Sequence, residues 1–249
     1  MYKINPNNNQ SEWYFDMNKF IKPFSNICRT YDINPNNVLF YSQQDEDKYI
    51  LQYILKEKIN DGTFIEIGGC DGVLYSNTKT LEDYFGFNKG IIIEPIKQFY
   101  DKLVLNRPNC FNFNCAVSDS NNEYVEFCGI DPCAGITSHL TSNELSKNNN
   151  KYNIVNKKMK DIINETKLNY IDIFSIDVEG AELEILKSID FNIPIFCIII
   201  EADSDYPDKN NEFGNYLKSK GFTFKERQRG NEIWLNHNYF RKHLFNIDY

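Results

Sequence analysis

The 249-residue sequence has only three histidines, His139, His237 and His243, and contains neither an H-E-x-x-H pair nor a G-x-S-x-G elbow. Zinc-protease and serine-hydrolase chemistry therefore lack their residues. No apolar run approaches the ~20 residues that span a bilayer. The longest, around 195–200, ends at Glu201. The N-terminal MYKINPNNNQ has no apolar core and no small-residue cleavage site, so no export signal is expected. The seven cysteines, an odd number, form no C-x-x-C pair and no Cys/His set with metal-binding spacing. They read as reduced thiols of a soluble, cytoplasmic protein. Cations are also scarce, with 27 Lys and Arg against 35 Asp and Glu and a net charge of −8. That deficit argues against duplex DNA and anionic lipid as partners, since both are held by clustered cations. The basic runs at 157–160 and 225–229 are short and read as solvated surface.

Against these absences stand 41% hydrophobic and 15% aromatic residues, enough for one large domain, assigned to residues 41–249. Residues 1–40 read as an irregular N-terminal extension packed on that domain, with Pro6, Pro23 and Pro35 interrupting any long helix. Residues 45–59 carry apolar positions at three- and four-residue steps behind an acidic first turn, which predicts a helix. From residue 63 short apolar runs alternate with amphipathic stretches. The runs are 63–67, 90–94, 111–117, 171–176 and 194–201; the helical stretches are about 77–86, 96–106, 158–167, 180–188 and 209–220. Runs apolar nearly throughout suit parallel strands covered on both faces, joined by right-handed crossovers. Residues 221–227 and 231–236, separated by a turn at 228–230, can only pair antiparallel. The prediction is an α/β, Rossmann-like fold. Its seven-stranded mixed sheet has five parallel strands and a C-terminal hairpin, with helices on both faces. Residues 129–157, rich in Gly, Ser, Thr and Asn, read as a long loop on the acceptor side.

Chemistry-bearing residues collect at the carboxyl ends of these strands, where open α/β sheets bind ligands. The first strand ends in FIEIGGCDGVLYSNT, with Gly68, Gly69 and Gly72 in the turn and the acids Glu66 and Asp71 beside them. Cys70 and Val73 break the dinucleotide fingerprint, and no Gly-Lys-Ser/Thr follows to make a P-loop. Carboxylates at such a turn repel a pyrophosphate and attract a cation; the bland alternative is a glycine turn kept for packing. Glu94 ends the second strand, 26 residues past Gly68, where an acid can accept from both ribose hydroxyls of an adenosyl ligand, or simply cap the next helix. After the third strand, Ala116, Val117 and Asp119 occupy an adenine position, although Ser118-Asp119 is also an ordinary turn pair. Asp177 ends the fourth strand, with Glu179 and Gly180 in the turn, and the fifth ends in Glu201 with Asp203 two residues on. Glu182 and Glu184 read as helix caps or solvated acids.

The segments SQQDEDKYI, GTFIEIGGCDGVLYSNTKTLEDYFGFNKGIIIEP, AVSD and IDIFSIDVEGAELEILKSID together resemble the FkbM-type methyltransferases, a branch of the class I enzymes that use S-adenosylmethionine (SAM). The similarity runs from about Ser42 to Asp203 and leaves 1–40 and the interior of 129–157 uncovered. The resemblance implies SAM as cofactor, with Glu66, Gly68, Asp71, Ser76, Asn77 and Thr78 around its methionine part. It puts Glu94 at the ribose, Ala116 to Asp119 at the adenine, and Asp177 and Glu179 facing the transfer site. Cys70 stands where class I enzymes commonly have a third glycine. The resemblance also implies a small-molecule hydroxyl acceptor, on a sugar, glycan or similar molecule.

Methyl transfer to a neutral hydroxyl needs a group to take the proton, and Asp177, Glu201 and His139 are the candidates. A divalent ion held by Asp177, Glu201 and Asp203 is the alternative, and the metal-free base is preferred. Two rival functions are an RNA cap or ribose 2′-O-methyltransferase, disfavoured by the net negative charge, and a non-catalytic SAM-fold binding module, disfavoured by the acids at Glu66, Glu94 and Asp177. A dehydrogenase lacks its fingerprint.

Overall fold

The computed structural model describes residues 17–54, 58–147, 150–202 and 207–239; Asp203 and His243 lie outside the described residues. Helices α1 (Met17–Tyr31) and α2 (Glu46–Ile54) precede the sheet. Then follow β1 (Gly62–Ile67), α3 (Lys79–Tyr84), β2 (Phe87–Ile93), α4 (Lys97–Asn106) and β3 (Phe111–Phe113). An intervening unit holds β4 (Ala116–Val117), β5 (Tyr124–Cys128), β6 (Gly135–Ile136), α5 (Ser142–Lys147) and β7 (Lys151–Lys157). The alternation resumes with α6 (Met159–Thr166), β8 (Ile171–Ile176), α7 (Glu182–Lys187), β9 (Ile195–Glu201) and α8 (Pro207–Ser219). It closes on the hairpin β10 (Phe222–Gln228) and β11 (Asn231–Asn236).

Seven strands make one sheet in the order β10-β11-β9-β8-β1-β2-β3. Pairing is parallel from β9 to β3, and β11 joins β9 antiparallel, as the run pattern predicts. Every residue of β1 and of β8 is buried, the polar Thr63, Glu66, Asp172 and Ser175 included, as in strands covered on both faces. Alternate side chains point to opposite faces. Phe64, Ile173 and Phe196 pack toward α1, α2 and α3, while Ile65, Ile176 and Ile198 pack toward α6, α7 and α8. Among the described residues no helix is long and apolar enough to cross a membrane, and all seven cysteines are free thiols.

Three expectations need correction. Pro23 does not interrupt a helix but lies inside α1. The lost backbone bond and ring clash cost ~3 kcal/mol. Burial of Phe24, Ile27, Cys28 and Tyr31, one face at helical spacing, outweighs that at ~1.5–3 kcal/mol for each large side chain. The run 111–117 is not one strand: the Asn114 side chain donates to the carbonyls of Glu94 and Pro95, both at 2.8 Å, and turns the chain out of the main sheet between β3 and β4. Residues 129–157 are not a loop either. They supply β6 and β7, with α5 between them, to a second sheet of order β4-β7-β5-β6, which packs Phe127, Ile136 and Ile154 into a small core with Ile96 and Ala181.

Candidate active site

The chain builds β1, β2 and β3 to one side and then returns to lay β8 and β9 on the other, so β1 and β8 are parallel neighbours whose following connections leave in opposite directions. A crevice opens outside their carboxyl ends. Gly68 makes the turn at φ +86°, and a Cβ on it would lie 2.2 Å from the carbonyl oxygen of Asp177. Only glycine lets the two strand ends run this close. Above them is a cavity of about 430 Å³, within the range of small-ligand sites. One side is the edge of the main sheet: Gly68 and Cys70 after β1, Glu94 after β2, Asp177 and Glu179 after β8, and Glu201 at the end of β9. The other side is apolar and comes from the second sheet and the start of α4, with Val117, Phe127, Ile136, Ile96 and Phe99.

Glu94 is buried, and its two carboxylate oxygens accept from the Cys70 amide at 2.8 Å and the Ile96 amide at 2.7 Å. It ties the glycine turn to the α4 loop, and burial raises its pKa to about 7. Asp177 lines the same cavity. Burial first, and then the nearby Glu66 carboxylate, push its pKa up to about 6. Cys70 occupies the left-handed region at φ +45°, a strained conformation for a side chain at the position where class I enzymes commonly carry glycine. Burial pushes its thiol pKa up, so it is a neutral wall of the cavity.

The other expected residues part company here. Glu66 lies inside β1, away from the cavity, and its carboxylate accepts from Ser76 Oγ at 2.9 Å, the Asn77 amide at 2.6 Å and Thr78 Oγ1 at 2.5 Å. Arg107 completes that cluster. Fully buried, it donates to the Gly72 carbonyl at 3.0 Å and to the Ser76 and Thr78 hydroxyls at 3.1 Å, and it ion-pairs with Glu82. Glu66, Ser76, Asn77 and Thr78 thus brace the glycine turn from below and are absent from the cavity wall. Gly69 packs against Ile92, and Asp71 accepts from the amides of Val73 and Leu74, holding the turn's own shape. Ala116 and Val117 line the cavity, but Asp119 lies outside it and pairs with Lys158 at 3.3 Å. His139 is separate too. It lines a small pocket with Lys209 that shares only Glu179 and Glu201 with the cavity, and burial lowers its pKa. Sequence reasoning missed Arg107, a single cation before a proline with no motif around it. It also left unassigned Gln43 and Gln44, which line the cavity from the SQQDED segment.

Residues 66–224 match the family described as the methyltransferase FkbM domain. The chain belongs to the FkbM methyltransferase family. No curated protein matches it. Among solved structures, it is similar to precorrin 8W decarboxylase from Methanobacterium thermoautotrophicum, at 14% identity over 83% of this chain and 96% of that one, TM-score 0.42. It is also similar to precorrin-6y C5,15-methyltransferase from Geobacter metallireducens, at 10% identity over 71% and 79%, TM-score 0.39. A third is M. capricolum TrmK in complex with S-adenosyl-homocysteine, at 12% identity over 72% and 64%, TM-score 0.37.

FkbM methyltransferases use SAM, and the residues present fit it on the chemistry of the cavity. Among the described lining residues there is no Lys or Arg, while Glu94, Asp177, Glu179 and Glu201 supply four carboxylates, an environment for a cationic ligand. The apolar side offers flat contact for a base, and each Glu94 oxygen, bonded to one amide, keeps a lone pair for a hydroxyl donor.

Proposed function

We propose that this FkbM methyltransferase is an O-methyltransferase whose acceptor is a hydroxyl of a small carbohydrate. The observation that carries the reading is Asp177, a carboxylate in the cavity wall whose pKa of about 6 lets it be ionised at neutral pH yet basic enough to take a proton. When bound, SAM supplies an electrophilic methyl carbon on a sulfonium. Glu94 holds the ribose end, and Ala116, Val117 and Phe99 form the surface for the adenine. Asp177 would accept the acceptor hydroxyl's proton as the methyl passes from sulfur to oxygen, the S–C bond breaking with its electron pair left on the departing thioether, a contribution of ~10²–10⁴-fold. Glu179 and Glu201 stand beside it as hydrogen-bond acceptors for the neighbouring hydroxyls of a polyol. The second sheet excludes water from the apolar side of the cavity.

An RNA acceptor fits the site poorly, because its phosphates would meet carboxylates without a cation to balance them. A divalent ion held by Asp177, Glu201 and Asp203 would lower the hydroxyl's pKa instead; Asp203 lies outside the described residues. The test is transfer from labelled SAM to a panel of nucleotide sugars, free glycans and capped RNA, with and without EDTA. Label on a carbohydrate, retained in EDTA, is the expected result; label on capped RNA alone overturns the reading.

A further inference from the structure

The four acids of the cavity suit the sulfonium and the ammonium of SAM, but its methionine tail also carries a carboxylate, and no Lys or Arg lines the wall to meet it. Glycine turns can meet an anion with successive backbone N–H groups. This one has spent them. The amides of Gly68 and Gly69 donate to the Ile93 carbonyl at 3.0 and 3.2 Å, that of Gly72 to the Gly69 carbonyl at 2.8 Å, that of Cys70 to Glu94, and those of Val73 and Leu74 to Asp71. The carboxylate is left to the side chains.

Thiols aside, the side-chain donors on the cavity wall are Gln43, Gln44 and Tyr75, and they share one corner. Ser42 bridges to Tyr75 as a single parallel pair, and its hydroxyl donates to the Ser76 carbonyl at 3.4 Å, which fastens the SQQDED segment to the end of the glycine turn. The segment then meets the turn between β10 and β11. Gln44 Oε1 accepts from the Gly230 amide at 3.1 Å, Asp45 pairs with Arg229 at 3.4 Å, and Glu46 accepts from Asn231 Nδ2 at 2.7 Å, so three consecutive residues are clamped there. Strand ends step sideways by ~4.8 Å. From Glu94 after β2 the wall passes Gly68 after β1 and Asp177 after β8 before it reaches Glu201 at the end of β9 and the clamped segment. A ligand with its ribose at Glu94 lays its methionine tail along that row, toward this corner.

Gln44 is the oriented donor of the three. A backbone N–H can only donate, so the Gly230 amide takes the carbonyl oxygen of the Gln44 side chain and leaves its Nε2 hydrogens to the cavity it lines. Gln43 is exposed, and Tyr75 stands 40% exposed at the rim.

We propose that Gln44 binds the carboxylate of the SAM methionine tail through Nε2, so that a neutral amide clamped by the C-terminal hairpin takes the place of the glycine turn's spent donors. The inference uses SAM as the cofactor and is independent of the acceptor's class. The test is calorimetry of the full chain with SAM and with decarboxylated SAM, which keeps the sulfonium and the amine, for the wild type, Gln44→Glu and Gln44→Ala. Gln44→Glu keeps an oxygen for the Gly230 amide, and with it the clamp, but replaces the donors by a negative charge. Through its field alone that charge would tighten both cationic ligands. It should instead weaken SAM roughly tenfold or more, the loss of a hydrogen bond to a charged group, and leave decarboxylated SAM unweakened. Gln44→Ala should also weaken SAM about tenfold more than decarboxylated SAM. If the variants change both ligands alike, or leave SAM affinity as it was, the assignment of Gln44 is overturned and SAM binding still stands. A wild type that binds neither ligand overturns SAM itself, and the assignment with it.

Discussion

Glu66 and Asp177 belong to adjacent strands at the same edge of one sheet, yet they live in different surroundings. Glu66 is enclosed by Ser76, Asn77, Thr78 and Arg107, and its two oxygens accept from three protein donors. Asp177 has the cavity in front of it and Glu66's charge behind it. A carboxylate at a strand end is therefore not a site by virtue of its position; the partner set decides whether it braces the fold or faces a ligand. Pleat parity does not make the division, since Glu66 pairs with Ser175 and Asp177 continues the same face. Position along the strand does, with Glu66 inside β1 beneath Ser76 and Thr78 and Asp177 just past the last residue of β8 at the crevice.

The comparison can be tested by removing each acid. The largest effect is expected for Glu66→Ala, which leaves the buried donors of Ser76, Asn77 and Thr78 without their acceptor and Arg107 with Glu82 as its one carboxylate. It should cost ~3–5 kcal/mol of stability, read as a lower urea midpoint. Asp177→Asn should instead hold or raise the urea midpoint at neutral pH, where the ionised buried acid is the costly form, and lower kcat by ~10²-fold or more, about 2.7 kcal/mol of barrier. If both variants lose stability alike, the two acids do not differ in role.

The pH profile sharpens the same contrast. With Asp177 at about 6, activity should rise with pH on a limb centred near that value, and Asp177→Asn should abolish the limb. The milder Glu66→Gln, which removes the neighbouring charge, should shift the limb to lower pH. For stability the sign is opposite. Between the unfolded value near ~4 and the folded value the native state holds the extra proton, so this group's contribution is present below ~4 and lost as pH rises through about 6.

Glu94→Ala comes next, with SAM affinity by calorimetry expected to fall roughly tenfold or more, the worth of a charge-assisted bond at ~1.5–3 kcal/mol. The smallest effect is expected for Asp119→Ala. This exposed pair with Lys158 is worth ~0–1 kcal/mol, and SAM affinity should stay within about twofold. A large loss of affinity there would return Asp119 to the adenine position.

The sequence by itself determined the α/β order, the five parallel strands and hairpin, and the strand ends that carry Glu94, Asp177 and Glu201. Those features rest on local rules: apolar runs, amphipathic spacing and a glycine turn are written within ten or fifteen consecutive residues. Tertiary structure alone decided the rest. Pro23 sits in a helix because a core face overrides its local cost. The second sheet forms because Lys151–Lys157 pairs with a strand some thirty residues earlier, a register no local pattern announces. Glu66 is drawn from the ligand side by Arg107, a partner 41 residues away that neither spacing nor motif connects to it. Hydrogen-bond partners distant in sequence leave no periodicity behind, so their effect on a carboxylate becomes legible only once the chain has folded around it.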